Sequence, residues 1–233
     1  MIVKRWVALM LALSILGGIP VLAIETKENT EEAENVVLEE TAEVPVPFEE
    51  DIADTWFAGA AREAYQNGWM HTVDEVRFDG DVAASRGEVV DAIWRMAGAP
   101  KAMISTGYID VEADNPYHDA IDWAREKRIA TGLGDGRFGW QEKINREQLA
   151  VMLYRYAQLN GQGFSGTWML LLDTDDREQV SDWAYEGVCW LFMNKVMTGR
   201  GKNFAPQGST TRGELAATLV RFADLAQQEK NGD

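Results

Sequence analysis

One cysteine, Cys189, and two histidines, His71 and His118, are all that the 233-residue chain offers of its most reactive residue types. A single thiol closes no intramolecular disulfide and builds no cysteine cluster for zinc. Neither histidine has a nucleophile or a second base at a recognisable offset, so no catalytic residue is assigned. Basic residues are also scarce: 22 Lys and Arg against 38 Asp and Glu leave a net charge of -16. Nucleic-acid affinity rests mainly on neutralising phosphates, so this balance argues against a nucleic-acid partner. The loop Gly134-Asp135-Gly136 has one acid where calcium takes about six to eight oxygens, and neither metal nor cofactor is expected. No pair of carboxylates stands apart from the many surface acids, as a glycosidase would require.

Long apolar runs are nearly absent too. Trp6 to Ile19 follows Lys4 and Arg5 and leads into Pro20-Val21-Leu22-Ala23, with small residues ahead of the expected cut. This reads as a cleavable signal peptide over residues 1–23. The run is shorter than the roughly 20 residues of a spanning helix, although extension to Ile24 leaves an uncleaved anchor open. Residues 24–47 contain eight glutamates against Lys27, with no aromatic residue before Phe48. An acidic, disordered linker is expected there, because such a segment has too little apolar surface to offset its ordering entropy. Export and near-absence of cysteine suit a bacterial envelope.

What the chain does hold is apolar surface, 46% hydrophobic residues with nine tryptophans, arranged with a period. Ser85-Arg86-Gly87-Glu88, Asn145-Arg146-Glu147-Gln148 and Thr211-Arg212-Gly213-Glu214 align, their arginines 60 and 66 residues apart. Phe78, Phe138 and Phe204 keep the same intervals, as do Arg95, Arg155 and Arg221. Three repeats result, 48–98, 108–157 and 171–225, followed by a tail at 226–233. Each reads as helix, Gly-containing loop, helix. Asn115-Pro116 provides a cap and a first-turn proline for the opening helix of the second repeat, with Asp54 and Ser181 as the equivalent caps. Ser/Thr/Asn three residues before Glu/Gln predicts a capping box at each closing helix. Val89, Ile93, Met96; Leu149, Met152, Tyr156; and Leu215, Leu219, Phe222 form their apolar stripes. Trp123, Trp190, Trp94, Tyr154 and Cys189 are assigned to the core. A two-helix repeat has little core alone, so the three are expected to pack together.

The arginine after each cap is not needed for capping, and the helix dipole slightly disfavours a cation there. Two explanations stand: a guanidinium fork for a carboxylate ligand, or an internal ion pair with the acidic landmark of a repeat, Asp51, Asp110 or Asp173.

These motifs taken together resemble the S-layer homology domain in three tandem copies: Tyr108-Ile109-Asp110-Val111, Ala120-Ile121-Asp122-Trp123-Ala124, Asp135-Gly136-x-Phe138, Phe204-Ala205-Pro206 and Thr211-Arg212-Gly213-Glu214. The resemblance implies a mainly α fold of helix-loop-helix repeats in a pseudo-threefold helical bundle, exported to the bacterial cell wall or cell surface. It implies a non-catalytic anchor whose inter-repeat grooves bind acidic, pyruvylated secondary cell wall polysaccharide or a peptidoglycan-linked glycan. The alternative is a structural module that contacts other envelope proteins. The carried-over ligand residues are Arg86, Arg146 and Arg212 for the sugar acid, Trp56, Tyr117 and Trp183 for sugar faces, Asp51, Asp110 and Asp173 for hydroxyls, and the loop glycines Gly132 and Gly199. Arg212 and Trp183 are the strongest candidates, then Arg146.

Overall fold

Three polar side chains fix where the long helices begin. Ser85 and Asn145 accept from the backbone N–H of Glu88 and Gln148, whose side chains accept from the cap N–H in return. Thr211 and Glu214 make the same reciprocal pair. A computed structural model describes residues 45–166 and 171–231. Among them are seven α-helices: α1 (Glu49–Ile52), α2 (Ala58–Gln66), α3 (Arg86–Met96), α4 (His118–Glu126), α5 (Arg146–Leu159), α6 (Tyr185–Met193) and α7 (Arg212–Asn231). One 3-10 turn lies at Arg177–Gln179, and the extended contacts are isolated bridges. The protein is mainly helical. The expected signal peptide, and the expected acidic linker except for residues 45–47, lie outside the described residues.

The opening helices start later than the sequence motif suggests. Asn115 does not cap α4: its Oδ1 accepts from the Tyr117 N–H at 2.8 Å and its carbonyl from the His118 N–H at 3.0 Å, making a turn one step before the helix. Thr55, not Asp54, and Ser181 occupy the same place ahead of α2 and α6, their carbonyls accepting from Ala58 and Ala184. An Asx-type turn and a helix cap draw on the same residues, and here the turn takes them.

The packing order is cyclic. α4 lies on α3, α6 on α5, and α2 on α7, so each opening helix covers the closing helix of the preceding repeat and the first repeat covers the last. At the hub the chain crosses itself three times. Ala84 donates to the Thr210 carbonyl at 2.8 Å, Thr210 to Ile144 at 3.0 Å and Ile144 back to Ala84 at 3.1 Å. Bridges Ser85–Lys143, Asn145–Ser209 and Ala83–Thr211 flank this ring. Phe78, Phe138 and Phe204 are fully buried around it, and Trp123, Trp190, Tyr154 and Cys189 are core as expected, with Trp94 half-buried. Among the described residues no helix is long and apolar enough to cross a membrane.

Two junctions are closed by missing side chains. A Cβ on Gly87 would stand 2.5 Å from the Tyr117 ring, and one on Gly213 2.5 Å from Phe57. The third junction swaps the sizes. Ala184 follows Trp183 where Phe57 and Tyr117 stand elsewhere, and Glu147 replaces the glycine. Its carboxylate, almost fully buried, accepts from Ser181 N–H and Oγ and from Gln207 Nε2 at 2.8–3.0 Å. A buried acid is tolerated because its lone pairs are used.

Candidate functional site

The backbone just after each cap hydrogen-bonds across a junction, and this carries the arginine inward. Arg86, Arg146 and Arg212 donate their N–H groups to the carbonyls of Glu142, Gly208 and Val82. Each side chain then reaches the loop of the next repeat. Arg86 Nε donates to the Phe138 carbonyl at 3.1 Å, Arg146 Nε to Phe204 at 2.9 Å and Arg212 Nε to Phe78 at 2.7 Å. The guanidinium carbons sit 4.8, 5.0 and 5.0 Å from the centroids of those same phenylalanine rings. Arg146 also donates to Thr198 O and Arg212 to His71 O. All three side chains are therefore buried clasps, held by carbonyls and a ring face.

Their charges are met unequally. Arg212 pairs with Glu88. Arg146 approaches Glu214 at 3.6 Å, while Glu214 is gripped more closely by Arg200 at 2.6 Å. Both glutamates are capping residues of the neighbouring repeat. In α5 the same place is taken by Gln148, and among the described residues no carboxylate lies within 4.0 Å of Arg86. Burial lowers the Arg86 pKa, with Tyr108 and Glu142 opposing and Arg155 adding to the shift.

Two of the acidic landmarks tie down the loop of their own repeat. Asp51 accepts from Phe78 and Asp79 N–H, and Asp110 from Phe138 and Gly139 N–H, all at 2.7–2.8 Å. In the third repeat this work falls to Asp176, which accepts from Phe204 and Ala205 at 2.8 and 2.7 Å. Asp173 is exposed and does not share the role. Burial alone would raise the Asp176 carboxyl, but the N–H donors of Phe204 and Ala205 hold it below its ordinary value. None of the three landmarks pairs with the repeated arginines.

Two clefts open beside the clasps. One of about 230 Å³ is bounded by Arg212, Glu88, Asp91, Trp69, His71 and Tyr117. Asp91 Oδ1 is buried there with no hydrogen-bond partner among the described residues, and burial raises the carboxyl against the pull of Arg95. The second, about 380 Å³, is bounded by Arg146, Gly199, Arg200, Glu214, Arg221 and Trp56. It holds three guanidinium groups against one carboxylate, and the Trp56 ring is 65% exposed. Trp183, 58% exposed, lines neither cleft, and Arg212 is joined instead by Tyr117. Gly132 takes φ +30, and a Cβ there would meet Arg137 O at 2.6 Å; one on Gly199 would meet Asn203 O at 2.8 Å.

Asp91, Thr198 and Arg221 were not chosen from the sequence. Arg221 had a legible signal. It stands nine residues after Arg212, two and a half helical turns, so the two arginines of one closing helix face opposite junctions.

Residues 174–216 match the family model of the S-layer homology domain. The chain is 27% identical over 137 residues to an S-layer protein of Bacillus licheniformis, covering 56% of this chain and 14% of that protein. It is 28% identical over 142 residues to S-layer protein EA1 of Bacillus anthracis, covering 58% and 15%. An amylopullulanase of Thermoanaerobacterium thermosulfurigenes is 23% identical over 131 residues, covering 53% and 7%. The chain thus spans a small part of the length of each of these relatives.

Proposed function

We propose that this chain, a member of the S-layer homology family and a cell-surface anchoring module, works without catalysis by holding an acidic glycan of the cell wall in the clefts between its repeats. The observation that carries this is the cleft of Trp56, Arg146 and Arg221: an exposed aromatic face beside a surplus of two positive charges, in a protein of net charge -16. Aromatic faces suit the apolar side of sugar rings, and guanidinium forks suit a carboxylate such as a pyruvate ketal. The closed cycle of hydrogen bonds at the hub supports a pseudo-threefold frame for these clefts, and Arg221 is added to the ligand set. Of the buried clasps, Arg212 and Arg146 each line one of the two clefts, while Arg86 lines neither.

The test is co-sedimentation of the protein with purified wall sacculi, intact or stripped of pyruvyl groups. Binding to intact walls only is expected. Trp56→Ala is expected to weaken it roughly tenfold to thirtyfold, as loss of an aromatic anchor does, without lowering the melting temperature of so exposed a site. Equal retention on stripped walls contradicts the proposal. Self-association that persists in that variant while wall binding is absent from the native protein favours the structural-module alternative.

A further inference from the structure

Among the described residues most arginines are matched by acids, which makes the exceptions informative. Among the described residues, five arginines have no carboxylate within 4.0 Å: Arg86, Arg125, Arg128, Arg155 and Arg221. Three of these, Arg125, Arg128 and Arg155, line one open cavity of about 750 Å³ together with Lys127 and Glu126. Glu126 is already engaged, accepting from Lys127 at 2.9 Å and from the Met103 N–H. The cavity therefore holds four cations against one occupied carboxylate.

The fold does not require the three cations at the end of α4. α2 and α6 end with the same geometry as α4, yet Tyr65, Asn67 and Gly68, or Phe192, Asn194 and Lys195, stand where α4 has Arg125, Lys127 and Arg128. Favourable interaction with a helix C-terminus therefore does not explain a cluster confined to one end of three. Arg128 sits at φ 60, a left-handed position that Gly68 fills without steric cost in the first repeat. Arg155 arrives from another helix, spending one N–H group on the Ile129 carbonyl at 3.2 Å and leaving the rest of its fork toward the cavity.

We infer that this cavity is a second anion site, separate from the Trp56 cleft, and that its ligand is a phosphate group carried in a run, as in polyphosphate or a phosphodiester polymer. A single carboxylate answers one guanidinium, whereas phosphate presents several acceptor oxygens to several forks at once. The volume exceeds one such group, and the half-exposed Ile104 and Leu159 at its edge suit the spacer between charges. This inference does not depend on the glycan proposal.

The full chain would be titrated calorimetrically with sodium tripolyphosphate at low and high salt. Binding that weakens with salt is expected, and Arg125→Gln combined with Arg128→Gly should lower affinity by roughly tenfold or more. Because Arg128→Gly relieves a left-handed residue, the variant should melt no lower than the native chain, so lost binding reports the site and not the fold. Displacement of tripolyphosphate by a glycerol-phosphate oligomer identifies a phosphodiester polymer as the source; failure to displace it identifies a free polyphosphate. An unchanged affinity in the double variant, or no native binding at millimolar ligand, overturns the site. Wall-glycan sedimentation should survive the double variant. If it is lost while tripolyphosphate affinity is unchanged, the phosphate site falls and the glycan proposal stands.

Discussion

Arg212 donates to two carbonyls, lies over Phe78 and pairs with Glu88, so truncation does more than remove a charge. Arg212→Ala strands a largely buried glutamate and two carbonyls, and is expected to lower stability by about 3–5 kcal/mol in urea denaturation. Arg86→Ala strands no carboxylate and should cost about 1–3 kcal/mol. Equal losses would contradict the unequal pairing described above. The aspartates separate as sharply. Asp176→Asn should destabilise the third repeat while Asp173→Asn leaves stability unchanged. The Asp176 pKa is depressed by folding, so its contribution is present above the ordinary carboxylate range and is lost as pH falls through its lower folded value. Acid unfolding curves of the native protein and Asp176→Asn should therefore converge at low pH. Asp173 was singled out as the acidic landmark ahead of Trp183. The better signal was the interval to the loop phenylalanine, 27 or 28 residues for Asp51, Asp110 and Asp176.

Between elements, two junctions set a glycine against a ring, Gly213 against Phe57 and Gly87 against Tyr117, while at the third Glu147 is held by Ser181 and Gln207. Gly213→Ala should overpack the contact between α7 and α2 by about 1–3 kcal/mol, and Phe57→Leu in the same chain should recover part of it. A melting temperature unmoved by Gly213→Ala would show that the ring shifts freely. The helix cores, the capping boxes and the buried phenylalanines were legible because each depends on spacing within one segment. The starts of α2, α4 and α6 were not, since a turn before a helix and a cap on it call for the same residue types.

Across the whole molecule the order of contacts predicts cooperativity. Since α2 rests on α7, no repeat carries its own complete helix pair, and the first and last repeats are one structural unit. Thermal unfolding should show a single calorimetric transition whose van't Hoff and calorimetric enthalpies agree. Removal of α7 should expose α2 and abolish that transition, and a surviving two-repeat melt would contradict the closed cycle.

Period and cap spacing within the sequence determined where the three capping boxes stand and that an arginine follows each cap, because helix starts and amphipathic burial are encoded over a few neighbouring residues. Which acid meets which arginine was decided only by the tertiary structure. So were the partnering of the clefts by Trp56 and Tyr117, the burial of Asp91 Oδ1 without a donor, and the gathering of Arg125, Arg128 and Arg155 at one cavity. Electrostatic pairing acts over a few ångströms of space, and the cyclic packing brings side chains more than a hundred residues apart, such as Arg212 and Glu88, into that range.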